Sequence, residues 1–236
     1  MAARNKGKSM LRTIAAIVAS IGLGAVGWQI GVSSRGDTQE AVMNQSTTRG
    51  GLREAIFAGG CFWCMEAAFE LMPGVIEAIS GYTGGTVKNP TYEQVSTGTT
   101  GHLEAVLVRY DPARTTYEEL LDLFWRNVNP TDAGGQFIDR GTQYNTAIFY
   151  LNEEQRTIAE GSKGKLESAG VFEEPIVTQI LPAETFYPAE AYHQDYHKTY
   201  LAQYKAYSTA SGREAYLDKM WEGQDDTSLD RSTGGP

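Results

Sequence analysis

The sequence predicts an α+β sandwich, with helices on one face of an antiparallel or mixed sheet. Strand-length apolar runs alternate with longer stretches of helical period along the chain. Gly, Pro and Asp stand where such elements would have to end. The 236 residues are 41% hydrophobic and 21% charged, an ordinary globular composition with chain enough for one sizeable domain or two small ones.

In order, Glu54–Ala58 reads as a short strand ending at Gly59-Gly60. Cys61–Leu71 suits a helix closed by Pro73-Gly74, and Val75–Tyr82 reads as a second strand. A loop rich in Gly, Thr and Asn follows to about Gly101, holding Tyr92. Leu103–Tyr110 is a clear strand, stopped by Asp111-Pro112. Thr116 with Glu119 makes a capping box, after which Leu120, Leu121, Phe124, Trp125 and Val128 fall on one helical face. A Gly-rich loop, Asp132–Gly141, leads to the strand Tyr144–Leu151. Asn152 caps a helix over 153–168, weakened by Gly161 and Gly164. Ile176–Leu181 reads as a strand and Ala189–Tyr204 as a helix with a tyrosine row. The first six elements run βαββαβ, the split pattern of ferredoxin-like sandwiches, with extra C-terminal elements beyond it.

Ahead of this body, residues 13–32 carry no charge, are mostly apolar and follow a basic stretch. That length spans a bilayer as a helix, and the basic flank would stay in the cytoplasm and send the body outward. An uncleaved anchor is favoured because no clean A-x-A site precedes Ser33; a cleaved signal shares the same features. A buried core helix is least favoured, since the stretch has no polar face. The expected organisation is an anchor or signal over 1–32, a polar linker over 33–51, a catalytic domain over 52–221 and a flexible tail over 222–236, with the body membrane-anchored or secreted outside the cytoplasm. The formal net charge is -9. Five bases and no acid lie in residues 1–36, which leaves 15 bases against 29 acids in the rest, a poor surface for nucleic-acid phosphates. A monomer is expected.

The two cysteines, Cys61 and Cys64, form a single C-x-x-C between strand and helix. A sulfur at a helix N-terminus meets unpaired N–H groups and the macrodipole, which favour a thiolate and hence a nucleophile. Gly59-Gly60 lets the backbone turn sharply there. Two thiols at this spacing can also close as a disulfide. Buried structural cysteines are a blander alternative. Zinc is another, with His193 and His197 at i, i+4, but the separation is far from finger-like spacing. A thioredoxin-like thiol–disulfide oxidoreductase shares the strand–C-x-x-C–helix geometry. Phe62 and Trp63 between the cysteines argue instead for a walled pocket that admits a small group.

Glu104 shares a strand face with Val106, Val108 and Tyr110. A carboxyl buried in such a row has a raised pKa and can act as a general acid; a solvated glutamate at the strand start is the other reading. Tyr92 in its loop and Tyr144, directly after Asp139-Arg140-Gly141-Thr142-Gln143, stand where sites are usually built. The row Tyr192, Tyr196, Tyr200 reads as packing.

Taken together, Gly60-Cys61-Phe62-Trp63, Tyr82-Thr83-Gly84-Gly85, Asn89-Pro90-Thr91-Tyr92, Gly101-His102-Leu103-Glu104-Ala105-Val106, Asp139-Arg140-Gly141-Thr142-Gln143-Tyr144 and Ala189-Glu190-Ala191-Tyr192-His193-Gln194-Asp195-Tyr196 resemble, in order over about residues 53–200, the peptide methionine sulfoxide reductases of type A. The resemblance implies reduction of methionine sulfoxide, free or in proteins, with the S epimer at sulfur as substrate, on a ferredoxin-like α/β sandwich. It matches Cys61 to the nucleophile, Phe62 and Trp63 to the pocket for the substrate methyl, Glu104 to the acid, Tyr92 and Tyr144 to hydroxyls holding the sulfoxide oxygen, and Asp139 to a further polar residue of the site.

The sequence departs from the pattern in three places. No cysteine follows Cys64, so Cys64 must resolve the oxidised Cys61 or nothing in the chain does. Asn145 stands where arginine is usual. The N-terminal segment is unlike that of a cytosolic member. The expected cycle forms a Cys61 sulfenic acid, then a Cys61–Cys64 disulfide that thioredoxin or a similar dithiol reduces, with no bound metal or organic cofactor.

Overall fold

The computed structural model describes residues 51–223. The expected anchor or signal over 1–32, nearly all of the linker over 33–51 and most of the tail over 222–236 lie outside the described residues. Among the described residues no helix is long and apolar enough to cross a membrane.

The strand Arg53–Gly59 (β1) leads into the helix Phe62–Glu70 (α1), and the strand Val75–Thr83 (β2) returns. The helix Tyr92–Ser96 (α2) precedes the strand Leu103–Tyr110 (β3) and the helix Tyr117–Trp125 (α3). A small hairpin, Gly135–Gln136 (β4) and Asp139–Arg140 (β5), comes before the strand Thr146–Tyr150 (β6) and the helix Glu153–Ala169 (α4). Two short strands, Gln179–Pro182 (β7) and Tyr187–Pro188 (β8), are followed by the helices Tyr196–Thr199 (α5), Leu201–Ser211 (α6) and Arg213–Met220 (α7).

The main sheet runs β7-β6-β1-β3-β2-β8. Its inner four strands are antiparallel, and β3 lies between β1 and β2, so the first crossover skips one strand, as the βαββαβ order requires. The β6–β7 pair is parallel, which makes the sheet mixed. The α+β expectation therefore stands.

The core lies between this sheet and α1, α3 and α4. Phe57 on β1 is fully buried, with its ring 5.0 Å from Phe69 of α1 and 5.4 Å from Phe124 of α3. Burying a side chain of that size is worth about 1.5–3 kcal/mol, so α1 is pinned at its far end by aromatic packing. Thr116 and Glu119 form the expected capping box at α3. The opposite sheet face is smaller: Ile56, Leu107 and Phe149 pack with Leu181, Ala183 and Phe186.

Three stretches differ from the sequence reading. The presumed loop before Gly101 contains α2, five residues long and fixed by a capping box of Thr91 with Gln94; one turn is too short to show a hydrophobic period. The Gly-rich loop 132–141 folds back on itself as the β4–β5 hairpin. The expected helix 189–204 is broken into a 3₁₀ turn at Ala191–His193, α5 and α6. Asp195 takes a left-handed φ of 51° at the break, its N–H bonded to Glu66 Oε1 at 3.2 Å. Tyr192, Tyr196 and Tyr200 consequently form no single row, and Tyr192 is exposed.

Candidate active site

Cys61 is the N-cap of α1, just past the end of β1. Gly60 makes the turn with φ of 82°, and a Cβ there would meet Gln136 Cβ at 2.5 Å. Gln136, fully buried, clamps its own loop by accepting the Asn129 N–H at 2.8 Å and donating to the Asn129 and Gly135 carbonyls. The β4–β5 hairpin is thereby pressed against the thiol turn.

Sheet register brings the polar groups to the same end. Phe57 lies opposite Val106, which sets Glu104, at the start of β3, level with the end of β1. Gly59 pairs with Thr146, so the 3₁₀ turn Thr142–Tyr144 ahead of β6 projects past Cys61. That turn is tied to the α2 region by Gln143 donating to the Ser96 carbonyl at 3.1 Å and Thr142 donating to the Gly98 carbonyl at 3.2 Å. Tyr92 opens α2.

Cys61, Phe62, Trp63, Tyr92, Glu104, Asp139 and Tyr144 line one pocket together with Tyr207 of α6. Its volume of about 40 Å³ has room for about three water-sized groups. A small polar head on an apolar stem fits that space. Both thiols are free and buried. Cys64, one turn into α1, faces Tyr204 and Arg213 instead of the pocket.

Glu104 is 3% exposed and accepts the Phe62 N–H at 3.0 Å. Burial pushes its carboxyl up to about 8, so it keeps its proton at neutral pH. Burial also raises Asp139, against the opposing pull of the Tyr207 hydroxyl, which donates a short hydrogen bond to Asp139 Oδ2, and of the Arg213 charge. Tyr92, Tyr144 and Tyr207 are raised by burial and by nearby acidic groups, so their hydroxyls stay protonated as donors.

The thiol pair reverses one expectation. Burial pushes Cys61 up, and its S–H bond to Cys64 raises it further. Cys64 is lowered to about 7 by that same hydrogen bond, against burial, with help from Arg213 and Tyr204. The helix N-terminus alone does not ionise Cys61. Its sulfur is out of water, and the first N–H of α1 is taken by Glu104.

Neither histidine converges on the thiols. His193 accepts the Trp63 indole N–H at Nδ1 (3.2 Å), and His197 pairs with Glu70 at 3.0 Å. Among the described residues no cluster of three or more His, Cys, Asp or Glu could hold a metal ion. Asn145 lies just outside the pocket, its side-chain oxygen buried and without a hydrogen-bond partner among the described residues.

Sequence reasoning missed five residues of this neighbourhood. Glu190 accepts the Tyr92 N–H at 2.8 Å and the Tyr82 hydroxyl at 2.9 Å, and despite burial these bonds hold its carboxyl below the usual range. His193 braces Trp63, which also stacks on Tyr196 at 3.8 Å. Both lie within the 189–196 block already singled out, so a signal was present. Tyr204, Tyr207 and Arg213 carried none: they lie over 140 residues from Cys61, on helices whose sequence shows no site motif.

The family model for peptide methionine sulfoxide reductase matches residues 53–225. The chain is 54% identical over 176 residues to a peptide methionine sulfoxide reductase MsrA of Listeria innocua, covering 75% of this chain and 99% of that protein. It is 56% identical over 167 residues to one of Bacillus licheniformis, covering 71% and 92%. Among solved structures it is similar to methionine sulfoxide reductase A of Corynebacterium diphtheriae (35% identity, TM-score 0.57, covering 67% of this chain and 80% of that one). It is also similar to Mxr1 of Saccharomyces cerevisiae in reduced form (28% identity, TM-score 0.58, covering 63% and 85%).

Proposed function

The chain belongs to the peptide methionine sulfoxide reductase family, and on that premise we propose the chemistry by which its pocket reduces methionine sulfoxide to methionine. The substrate methyl packs against Phe62 and Trp63. Tyr92 and Tyr144 donate hydrogen bonds to the sulfoxide oxygen, and Glu104 gives it a proton. Proton donation is worth roughly 10²–10⁴ in rate, and each preorganised donor about 10²–10³. Cys61 attacks the activated sulfur while its own proton passes along its hydrogen bond to Cys64. The oxygen ends on Cys61 as a sulfenic acid, and the sulfoxide leaves as a thioether, a two-electron exchange. Asp139 holds the Tyr207 hydroxyl beside Cys61. Cys64 then closes the disulfide, and an external dithiol, thioredoxin or a similar domain, reduces it. With two cysteines in the chain, no third thiol can relay those electrons.

The observation that carries this reading is the convergence of a nucleophilic sulfur, a protonated carboxyl and two tyrosine hydroxyls on one small aromatic-walled pocket. A thioredoxin-like exchanger is not favoured, since the family model over residues 53–225 and the 54%-identical relative are both methionine sulfoxide reductases. With dithiothreitol as reductant, the reduced protein is expected to form methionine from the S epimer of methionine sulfoxide and to leave the R epimer unchanged. Reduction of insulin with both sulfoxides untouched would favour the exchanger.

We also propose that residues 1–32 place a catalytic body of about 52–221 outside the cytoplasm, joined by the linker 33–51 and ending in the tail 222–236. The basic start and the uncharged stretch 13–32 support it. An intact N-terminus by mass spectrometry in the membrane fraction would support an anchor, and loss of residues ahead of Ser33 a cleaved signal. Recovery of the full chain in the cytosol would overturn both.

A further inference from the structure

Arg213, the first residue of α7, is 4% exposed. Its guanidinium donates to the Gly59 carbonyl at 3.0 Å and, by a short bond, to the Asn127 carbonyl, and it approaches Met65 Sδ at 3.8 Å. It lies over the Phe137 ring at 4.6 Å. Among the described residues no carboxylate comes within ion-pair distance of it. A buried charge left without a counter-ion is strongly unfavourable, so an anion in its surroundings is called for. Gly59 and Met65 flank the C-x-x-C on either side, so the cation rests at the start of α1, where Cys64 and Asp139 both feel its charge.

We infer that Arg213 is a positioning residue for the second thiol: lying at the start of α1, it favours the anionic form in which Cys64 attacks oxidised Cys61, and Cys64 shares with Asp139 the place of counter-ion to a buried guanidinium. The inference rests on the reductase reading above and assigns the origin of its resolving step. In that step Cys64 gives up the proton it took from Cys61, and its thiolate attacks the sulfenic sulfur of Cys61. The S–S bond forms as the S–O bond breaks, and hydroxide leaves and takes up a proton as water. Both sulfurs end in the disulfide, and no outside reductant enters until that bond is opened.

The groups around Cys64 oppose one another. Cys61 donates to it, Tyr204 on α6 hydrogen-bonds it and Arg213 attracts its negative form, whereas Asp139 repels that form. Glu104 and Tyr207 also feel its charge. Arg213 is the one formal positive charge in this set. Gly212, with φ of 76°, starts α7 at the angle that turns Arg213 inward, and Ser211 Oγ accepts the Arg213 N–H at 3.2 Å.

The test compares Arg213→Gln and Arg213→Lys in a Cys61→Ser background, where Cys64 is the single thiol. Its titration is followed by thiolate absorbance and by the pH profile of iodoacetamide alkylation. Arg213→Gln is expected to move the titration up by about one to two pH units, the usual effect of removing a close opposite charge. Arg213→Lys should stay near the parent value. In the protein with both cysteines, disulfide formation after oxidation should be about ten- to a hundred-fold slower in Arg213→Gln near pH 7 and recover by about pH 9.5, since each unit is tenfold in thiolate. An unchanged Cys64 titration in Arg213→Gln, or a rate loss equal at both pH values, overturns the inference. If Arg213→Gln does not fold, the single-thiol parent decides: a Cys64 titration about a unit or more below the ordinary thiol value of about 8.5 supports the inference, and one at or above that value overturns it. The titration uses no sulfoxide, so its failure is distinct from failure of the reductase reading.

Discussion

Cys61, Phe62, Glu104 and Tyr144 hang from the ends of β1, β3 and β6, whereas Glu190, Tyr204, Tyr207 and Arg213 arrive on the chain after β8, in a 3₁₀ turn and short helices. The first set stands on strands buried on both faces and on aromatic stacking behind α1. The second stands on a layer with much of its surface in water, held down by hydrogen bonds such as Tyr207 to Asp139 and Arg213 to Gly59. In the proposed mechanism the reacting sulfur and its acid thus occupy a frame set by the core. The groups that tune protons and hold substrate donors in place come from a cover laid over it. On this view, changes in the frame should abolish chemistry, and changes in the cover should weaken or retime it.

The largest effect belongs to the frame. Cys61→Ser should give no methionine at any pH, measured as product per enzyme; residual turnover would place the oxygen acceptor elsewhere. Glu104→Gln should lower kcat by about 10²–10⁴ with little change in substrate binding. Its wild-type activity should fall as pH rises through about 8, where the acid loses its proton. Stability follows with a definite sign. The folded pKa of Glu104 lies above its ordinary 4.5, so its contribution is complete below that value and is lost as pH rises through about 8. Glu104→Gln should therefore become the more stable protein by about pH 8, by a few kcal/mol in denaturant unfolding. Equal pH dependence of the two would show that the carboxyl is not buried as described.

Effects in the cover should be smaller. Tyr207→Phe removes a hydroxyl that bonds both Asp139 and Cys61, and should slow the first methionine release by about tenfold, the weight of one hydrogen bond to a charged group at roughly 1.5 kcal/mol. A loss as complete as that of Cys61→Ser would erase the distinction between frame and cover. Glu190→Gln weakens the hold on Tyr92 and Tyr82 and should raise KM more than it lowers kcat. About tenfold in kcat/KM is expected, from a charge-assisted bond worth roughly 1.5–3 kcal/mol in part retained. An unchanged KM would show that α2 positions Tyr92 without it.

The same division explains what could be read from the sequence. β3 was legible because Leu103–Tyr110 is an unbroken strand pattern bounded by Asp111-Pro112, and Glu104 fell on its inward face. Cys61 and its neighbours were legible because a thiol after Gly-Gly and before two aromatics has few other uses. The break at Asp195 was not, because a left-handed residue fixed by Glu66, which lies 129 positions away, is a tertiary event that local propensity does not encode. The ionisation order of the two thiols was hidden for the same reason. A helix N-terminus argued for Cys61, but burial raises Cys61, and the hydrogen bond from Cys61, helped by Arg213 on the final described helix, lowers Cys64. The expected location outside the cytoplasm rests on residues 1–32 alone.

The central claim is that the sulfoxide oxygen passes to the sulfur of Cys61, and Cys64→Ser isolates that event. The reduced variant is mixed with methionine sulfoxide labelled with heavy oxygen and followed by intact mass and peptide mapping. One methionine per protein is expected, slower than in the wild type because Cys64 no longer takes the Cys61 proton, with one labelled oxygen on Cys61 and none elsewhere. Methionine released with the label absent from Cys61, or continued turnover without a second thiol or added reductant, would contradict the account.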